Sequence, residues 1–270
     1  DFTRDFLLNE WRGAHFDPTA DAVVVEDQRD EPVGCGALFR PGAFALVDPA
    51  REGGGAGSQL LAWLEARALA AGRGVHRQRL GERNLSGRRL LAAAGYRQPR
   101  GVLRLARELA DTPPLPPHPD GIVLDTLDLE RDARAMYAVD CAAFAGNPDY
   151  EQVPFATFHA EHLAAPRLDP SLSRVAHRGD ALVGFALCLR TDRGGYVDIL
   201  AVEPAEHGGG IGSALLTSAF AALAAAGIRE ARLDVSSENQ AALRLYQRAG
   251  MRECNRMEVY EKLTRPPAAA

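Results

Sequence analysis

Lysine is almost missing from this chain: of its 31 basic residues only Lys262 is not arginine. A Walker-type phosphate loop places a lysine directly after its last glycine. The two glycine-rich loops here continue with Ser58 after Gly57 and Ser213 after Gly212, which excludes nucleotide triphosphate chemistry of that kind. Cysteine is scarce as well. Cys35, Cys141, Cys188 and Cys254 are scattered with no C-x-x-C pair, so neither a zinc site nor a disulfide scaffold is indicated and a reducing, cytoplasmic setting is expected. Apolar runs stay well below the ~20 residues of a membrane span, and no signal-peptide pattern is present, so no membrane partner is expected. A net charge of -5 speaks against a nucleic-acid partner, which would need many phosphate-facing cations. What remains, 46% hydrophobic and 25% charged, is ordinary globular composition.

Glycine, by contrast, is concentrated. The stretch Val202–Leu216 (VEPAEHGGGIGSALL) repeats Val47–Leu61 (VDPAREGGGAGSQLL) at an offset of 155 residues, and the register persists, with Asn84 on Asn239, Gly95 on Gly250 and Arg97 on Arg252. Two domains of one kind follow. Between them Ala110–Gly121 carries five prolines and reads as a stiff linker. The division expected is 1–111, a linker at 112–120, and 121–265. Each glycine loop joins a strand end to an amphipathic helix, an arrangement that offers free backbone N–H groups to phosphate oxygens. The dinucleotide fingerprint G-x-G-x-x-G is out of register, because Gly208 and Gly210 meet Ser213 at its last position and Gly53 and Gly55 meet Ser58.

Periodicity and breakers predict, in the second half, strands near 122–125, 173–177, 182–190, 195–202, 231–235 and 256–263, with helices over 130–144, 154–164, from Ile211, and 240–249. The first half reads as a helix near 2–11, strands at 22–26, 32–39, 43–47, 75–80 and 102–107, and helices over 56–71 and 85–94. Val47 lies much nearer the chain's start than Val202 lies to the linker. A first strand and helix are therefore expected to be absent or trimmed from the first half, and the start at Asp1 rather than Met agrees with trimming.

Gly210-Ile211-Gly212 opening a helix, followed downstream by Glu238–Met251 (ENQAALRLYQRAGM), resembles the GNAT acyltransferases in two separate signatures. The first is their x-x-Gly-x-Gly pyrophosphate loop, the second an Asn that opens a helix, then Leu-Tyr, then Gly and a hydrophobic residue. The resemblance implies an α/β (α+β) fold of two tandem domains. Each is a mixed, mostly antiparallel sheet with a central splay, flanked by helices. It also implies acetyl-CoA as co-substrate without a metal, and contacts to it from Leu200, Ala201, Val202, His207, Gly208, Gly209, Gly210, Ile211, Gly212, Ser213, Asn239 and Tyr246. The family's Gln/Arg position holds His207 in the second copy and Glu52 in the first, where a carboxylate opposes phosphate.

Acyl transfer to an amine needs a base, an oxyanion site and an acid for the leaving thiolate. By resemblance Tyr246 is that acid and Asn239 contacts the pantetheine arm, though Asn239 equally fits an N-cap. Alternation along the strand at 195–202 puts Tyr196, Asp198, Leu200 and Val202 on one face, with Asp198 as its carboxylate and expected base, unless it is a strand carboxylate paired with arginine. Glu203 is the runner-up, with loop geometry as its other reading. Backbone N–H groups of Leu200–Val202, freed by the splay, would polarise the thioester. The first half has Ala43 and Leu91 where Asp198 and Tyr246 stand, so the second half is expected to be the enzyme. His159 and His162 read as polar helix surface and receive no role. Asn147–Val153 falls where the family places its acceptor loop. The tandem pattern is similar to that of mycothiol synthase-like acetyltransferases. An N-acetyltransferase for a small-molecule amine is expected, as monomer or homodimer. The alternatives are a peptide or protein N-acetyltransferase and a non-catalytic acyl-CoA sensor or structural module.

Overall fold

The computed structural model describes residues 16–39, 42–110, 119–147 and 150–264. The helix expected near 2–11, most of the linker and the tip of the 147–153 loop lie outside the described residues. In chain order the elements are α1 (Pro18–Asp21), β1 (Ala22–Glu26), β2 (Pro32–Leu38), β3 (Ala43–Val47), α2 (Ala56–Ala70), β4 (Val75–Gly81), α3 (Leu85–Ala93) and β5 (Arg97–Glu108). They continue with β6 (Val123–Thr126), α4 (Leu129–Phe144), α5 (Phe155–Phe158), β7 (Arg174–Arg178), β8 (Ala181–Thr191), β9 (Gly194–Val202), α6 (Ile211–Ala225), β10 (Glu230–Ser236), α7 (Gln240–Arg248) and β11 (Arg252–Leu263). Among the described residues no helix is long and apolar enough to cross a membrane.

Two compact units form, and they do not follow the linear division at 112–120. One holds the described residues up to Val102 together with those from Arg256 onward, and the other holds Leu103–Asn255. Contiguous domains at 1–111 and 121–265 are thus corrected at two strands. The second part of β11 completes the first unit, pairing antiparallel with β4 from Met257↔Gly81 to Leu263↔Val75, while β5 from Leu103 onward lies beside β10 in the second. The physical reason is edge satisfaction. The edges of β4 and β10 each need a terminal strand to pair their N–H and C=O groups, and because β5 and β11 are equivalent, exchanging them costs no pairing. Periodicity within a strand carries no information about which edge it joins.

In the first unit β1–β2–β3 is an antiparallel meander, and β3 then meets β4 in parallel at Ala43↔Gln78 alone. In the second, β6–β7–β8–β9 is the antiparallel meander, and β10 runs parallel to β9 through Ala231↔Gly195 and Arg232↔Tyr196 only. Each unit is therefore mixed and mostly antiparallel, with one parallel pair that separates after a short contact. Beyond Tyr196 the edge of β9 that faces β10 has no ladder partner, so the expected splay opens between the carboxyl ends of these two strands.

The second unit's sheet carries an apolar layer on each face. On one side α6 and α7 bury Leu215, Leu216, Phe220, Leu223 and Tyr246 against Ala186, Val197 and Leu233. Because eight of the fifteen residues of α6 are buried, the helix is apolar nearly all round rather than striped, as a helix covered on most sides must be. On the other side Met136, Val139 and Phe158 cover Phe185, Leu187, Ile199 and Ala201. Each such buried side chain contributes roughly 1.5–3 kcal/mol, and together they hold β9 fixed from both faces.

Candidate active site at the splay of the second unit

Strand β9 is irregular where its chemistry lies. Opposite β8, Leu187 faces Ile199 and Cys188 faces Val197, so Asp198 is an extra residue, a β-bulge without a partner. A bulge bends the strand and re-aims side chains. Here it breaks the strict alternation read from sequence: Leu200 and Val202 pack with the α6–α7 layer, together with Val197, whereas Ile199 and Ala201 join the α4–α5 layer. Leu200 and Val202 therefore leave the face that Asp198 was expected to share with them. Tyr196 stays on Asp198's side and interacts with Asp234, which Arg104 grips with two hydrogen bonds of 2.7 and 2.8 Å. Burial first, and then the Asp234 and Asp198 charges, push the Tyr196 phenol far above its ordinary range, so it stays neutral.

Asp198 is bound by a histidine, not by an arginine. His162 Nδ1 lies 2.9 Å from Asp198 Oδ2, with the two side chains 32% and 24% exposed, and the imidazole packs on Phe158 at 5.2 Å between ring centroids. His162 reaches this place because α5 widens into a π-helical turn over His159–Leu163, closed by Ala164 N–H donating to His159 O at 2.7 Å. Such a turn shifts the helix face that a regular 3.6-residue period assigns. A regular period instead puts His162 on the polar surface of the helix. The only sequence signal was its position four residues after the buried Phe158.

Asp140 of α4 is 5% exposed and accepts a 2.8 Å hydrogen bond from Tyr150 Oη. Its burial raises the carboxyl above the usual range, opposed by the Tyr150 bond and by His162. Tyr137 Oη donates to Val153 O at 2.7 Å. The segment expected to bind the acceptor is therefore pinned to α4 at Tyr150 and at its far end, Val153.

The opposite face presents the other candidates. After β9 the chain makes a short turn over Pro204–Glu206, and His207 Nε2 lies 3.0 Å from Val202 O, latching the glycine loop to the strand end. Gly210 then opens α6 at φ 84°, a left-handed conformation that side chains rarely adopt, with no side-chain cap. Helix α7 is capped by Asn239, whose Oδ1 accepts from Ala242 N–H at 3.0 Å, whereas α6 begins at Gly210 with no side-chain cap for its first-turn N–H groups. A Cβ on Gly212 would stand 3.2 Å from Leu245 and 3.7 Å from Val202, so this glycine lets α6, α7 and the end of β9 converge.

Tyr246 is 8% exposed, and burial pushes its phenol up to about 12. Its hydroxyl has no hydrogen-bond partner among the described residues. Glu203 neither caps the turn that follows it nor finds an ionic partner among the described residues, whereas its counterpart Asp48 accepts from Ala50 N–H at 2.9 Å. Asp198 with His162 and Tyr246 thus flank β9 from opposite faces, and the missing β9–β10 pairing is the opening between them.

The first unit keeps only part of this. Gly55 opens α2 at φ 90°, and Asn84 caps α3 through Gly87 N–H at 2.8 Å. Leu91 fills the tyrosine position, Ala43 the carboxylate position, and Glu52 is engaged by Ser86 Oγ at 2.8 Å.

The family model described as "Acetyltransferase (GNAT) family" matches residues 129–251. Mycothiol acetyltransferase of Brachybacterium faecium is 34% identical over 214 residues, covering 76% of this chain and 63% of that protein, so the chain spans less than two thirds of that relative. Mycothiol acetyltransferase of Actinosynnema mirum is 33% identical over 211 residues, covering 77% of this chain and 70% of its own length. Among solved structures, a GCN5-related N-acetyltransferase from Sphaerobacter thermophilus superposes with a TM-score of 0.82 at 27% identity, over 98% of this chain and 87% of that one. A tandem GNAT protein from the clavulanic acid biosynthesis pathway shares the fold, with a TM-score of 0.74 at 18% identity over 96% of this chain and 87% of its own.

Proposed function

We propose, from the premise that this chain belongs to the GNAT acetyltransferase family, that its second unit transfers the acetyl group of acetyl-CoA to the primary amine of a small molecule by direct attack on the thioester. The observation that carries this reading is the convergence at one splay of an uncapped glycine helix start, a partnerless tyrosine hydroxyl and a paired carboxylate on the far face. In this reading the loop from His207 through Ser213 holds the pyrophosphate, with Asn239 beside the pantetheine arm. The backbone of Leu200, Ala201 and Val202, paired with β8 but without a β10 ladder partner on its other edge, polarises the acetyl carbonyl, an arrangement worth about 2.7–4 kcal/mol per donor in comparable sites. Asp198 supplies the negative charge that draws the ammonium proton, and Glu203 is held as the alternative carboxylate. Tyr246 protonates the departing thiolate. The first unit, with Leu91 and Ala43, takes no part in turnover.

Release of CoA thiol from acetyl-CoA across a panel of amines tests the reading, with an acceptor of the mycothiol series included because of the relatives' name. Turnover with a small amine supports it. Turnover with peptide N-termini alone would make the chain a peptide or protein acetyltransferase. Acetyl-CoA binding without any thiol release would make it a sensor or structural module. Asp198→Asn combined with Tyr246→Phe should abolish all acetylation, and residual activity would mean that the first unit works.

A further inference from the structure

The carboxylate expected to act on the acceptor is already occupied. Asp198 Oδ2 is 2.9 Å from His162 Nδ1. Two local irregularities, the bulge that leaves Asp198 unpaired on β9 and the π-helical turn that carries His162, meet at this contact. A carboxylate accepting at one imidazole nitrogen fixes the tautomer with its proton on that nitrogen and leaves the other as a lone pair. In this pair Asp198 holds Nδ1–H, and the free lone pair is on Nε2.

We propose that His162 is the general base of the acceptor half of the reaction, with Asp198 the positioning residue that orients and polarises its ring. The inference rests on the acetyltransferase reading above and deepens it. One proton of the substrate ammonium passes to His162 Nε2, and the resulting amine forms the C–N bond to the acetyl carbon as the C–S bond breaks. The second proton leaving nitrogen balances the thiolate, through the Tyr246 hydroxyl. His162 returns its proton to solvent, for which a ring one-third exposed has access. The acceptor class that fits is a cationic primary amine, because Asp140, held by Tyr150 and close enough for its charge to act on both His162 and Asp198, adds a second carboxylate on the same side.

The sign of the pH dependence follows from what faces the ring. Desolvation lowers His162's pKa, but the hydrogen bond and charge of Asp198, with the charges of Asp140 from α4 and Glu161 on its own turn, outweigh it and hold the group above its ordinary 6.5. The base is active only when neutral. Activity must therefore rise through a limb above that ordinary value and be lost as His162 protonates below it.

The experiment is the pH profile of kcat/KM for one amine, read by CoA thiol release, in the full chain and in His162→Gln and Asp198→Asn, with acetyl-CoA affinity as the control for folding. His162→Gln should lower kcat/KM by about 10²–10⁴-fold and remove the limb. Asp198→Asn should keep a limb but move it to lower pH, since the group that raises His162 is gone. The proposal is overturned if His162→Gln keeps the limb while Asp198→Asn loses it, which makes the carboxylate the base, or if Asp198→Asn leaves the limb unmoved. Should His162→Gln fail to fold, the direction of the Asp198→Asn shift decides alone. Failure of the wild-type chain to turn over any amine would remove the acetyltransferase reading itself, and the base with it.

Discussion

Gly210 and Gly55 allow the phosphate-loop assignment to be separated from the mechanics of folding. Both open a helix in the left-handed region, at φ 84° and φ 90°, and neither has a side-chain cap. A Cβ added at Gly210 would have Pro119 Cγ at 3.8 Å as its nearest neighbour, and one added at Gly55 would meet nothing within 4 Å. An alanine at either position therefore suffers no clash, only the cost of a left-handed L-residue, roughly 1–2 kcal/mol. The two variants should lose similar stability, about 2–4 °C in Tm per kcal/mol in the second unit and more per kcal/mol in the smaller first unit. Their binding effects should differ. If Gly210→Ala relieves its strain by leaving the left-handed well, the loop must be driven back when pyrophosphate binds, and that same 1–2 kcal/mol weakens acetyl-CoA by roughly 5–30-fold. Gly55→Ala, in the unit with Leu91 and Ala43, should leave thiol release and acetyl-CoA KM unchanged. Isothermal calorimetry with acetyl-CoA, beside thermal unfolding of both variants, makes the comparison. Unchanged affinity in Gly210→Ala with a smaller stability loss than in Gly55→Ala, the mark of a loop that has left the left-handed well, would refute the assignment of this loop to the phosphates.

Tyr246→Phe should lower kcat by about 10²–10⁴-fold with acetyl-CoA affinity and Tm unchanged, since the hydroxyl it removes has no hydrogen-bond partner among the described residues. Because burial holds that phenol near 12, it stays protonated across the neutral range, and the wild-type profile should show no loss of activity from Tyr246 between pH 8 and 10. Asn239→Asp retains an N-cap acceptor for Ala242 N–H, so stability should change by only a few tenths of a kcal/mol. If the amide also donates to the pantetheine arm, acetyl-CoA KM rises in steady-state kinetics, and an unchanged KM would make Asn239 a cap alone.

Local order was the part of this protein that its sequence displays. The strands at 22–26 and 43–47 have the bounds that alternation predicts, and the glycine loops stop strand and start helix where expected, because turn chemistry and burial period are properties of short windows. Misplaced features depend on partners far along the chain. Leu200 and Val202 change face because one residue of β9 finds no counterpart on β8, an event of pairing that leaves the composition of β9 unaltered. His162 reaches Asp198 through a single i→i+5 turn, and no periodicity of 3.6 distinguishes that turn from the helix before it. The loop, Asn239 and Tyr246 were legible because each sits in a recognisable spacing. Asp198's partner was not, for want of any spacing that joins residue 162 to residue 198.

The placement of β11 also bears on how the chain can be made. Synthesised from its N-terminus, the first unit exposes the edge of β4 from the moment Gly81 emerges, yet the residue that pairs there, Met257, lies far downstream, beyond the whole second repeat up to β11. Its sheet cannot close while the rest of the chain is being translated, and the high sequence separation of that pairing makes it a slow step. A gene cut between the repeats would leave each fragment with its own terminal strand in place of the exchanged one, so the pairing of β11 with β4 requires a chain that carries both repeats.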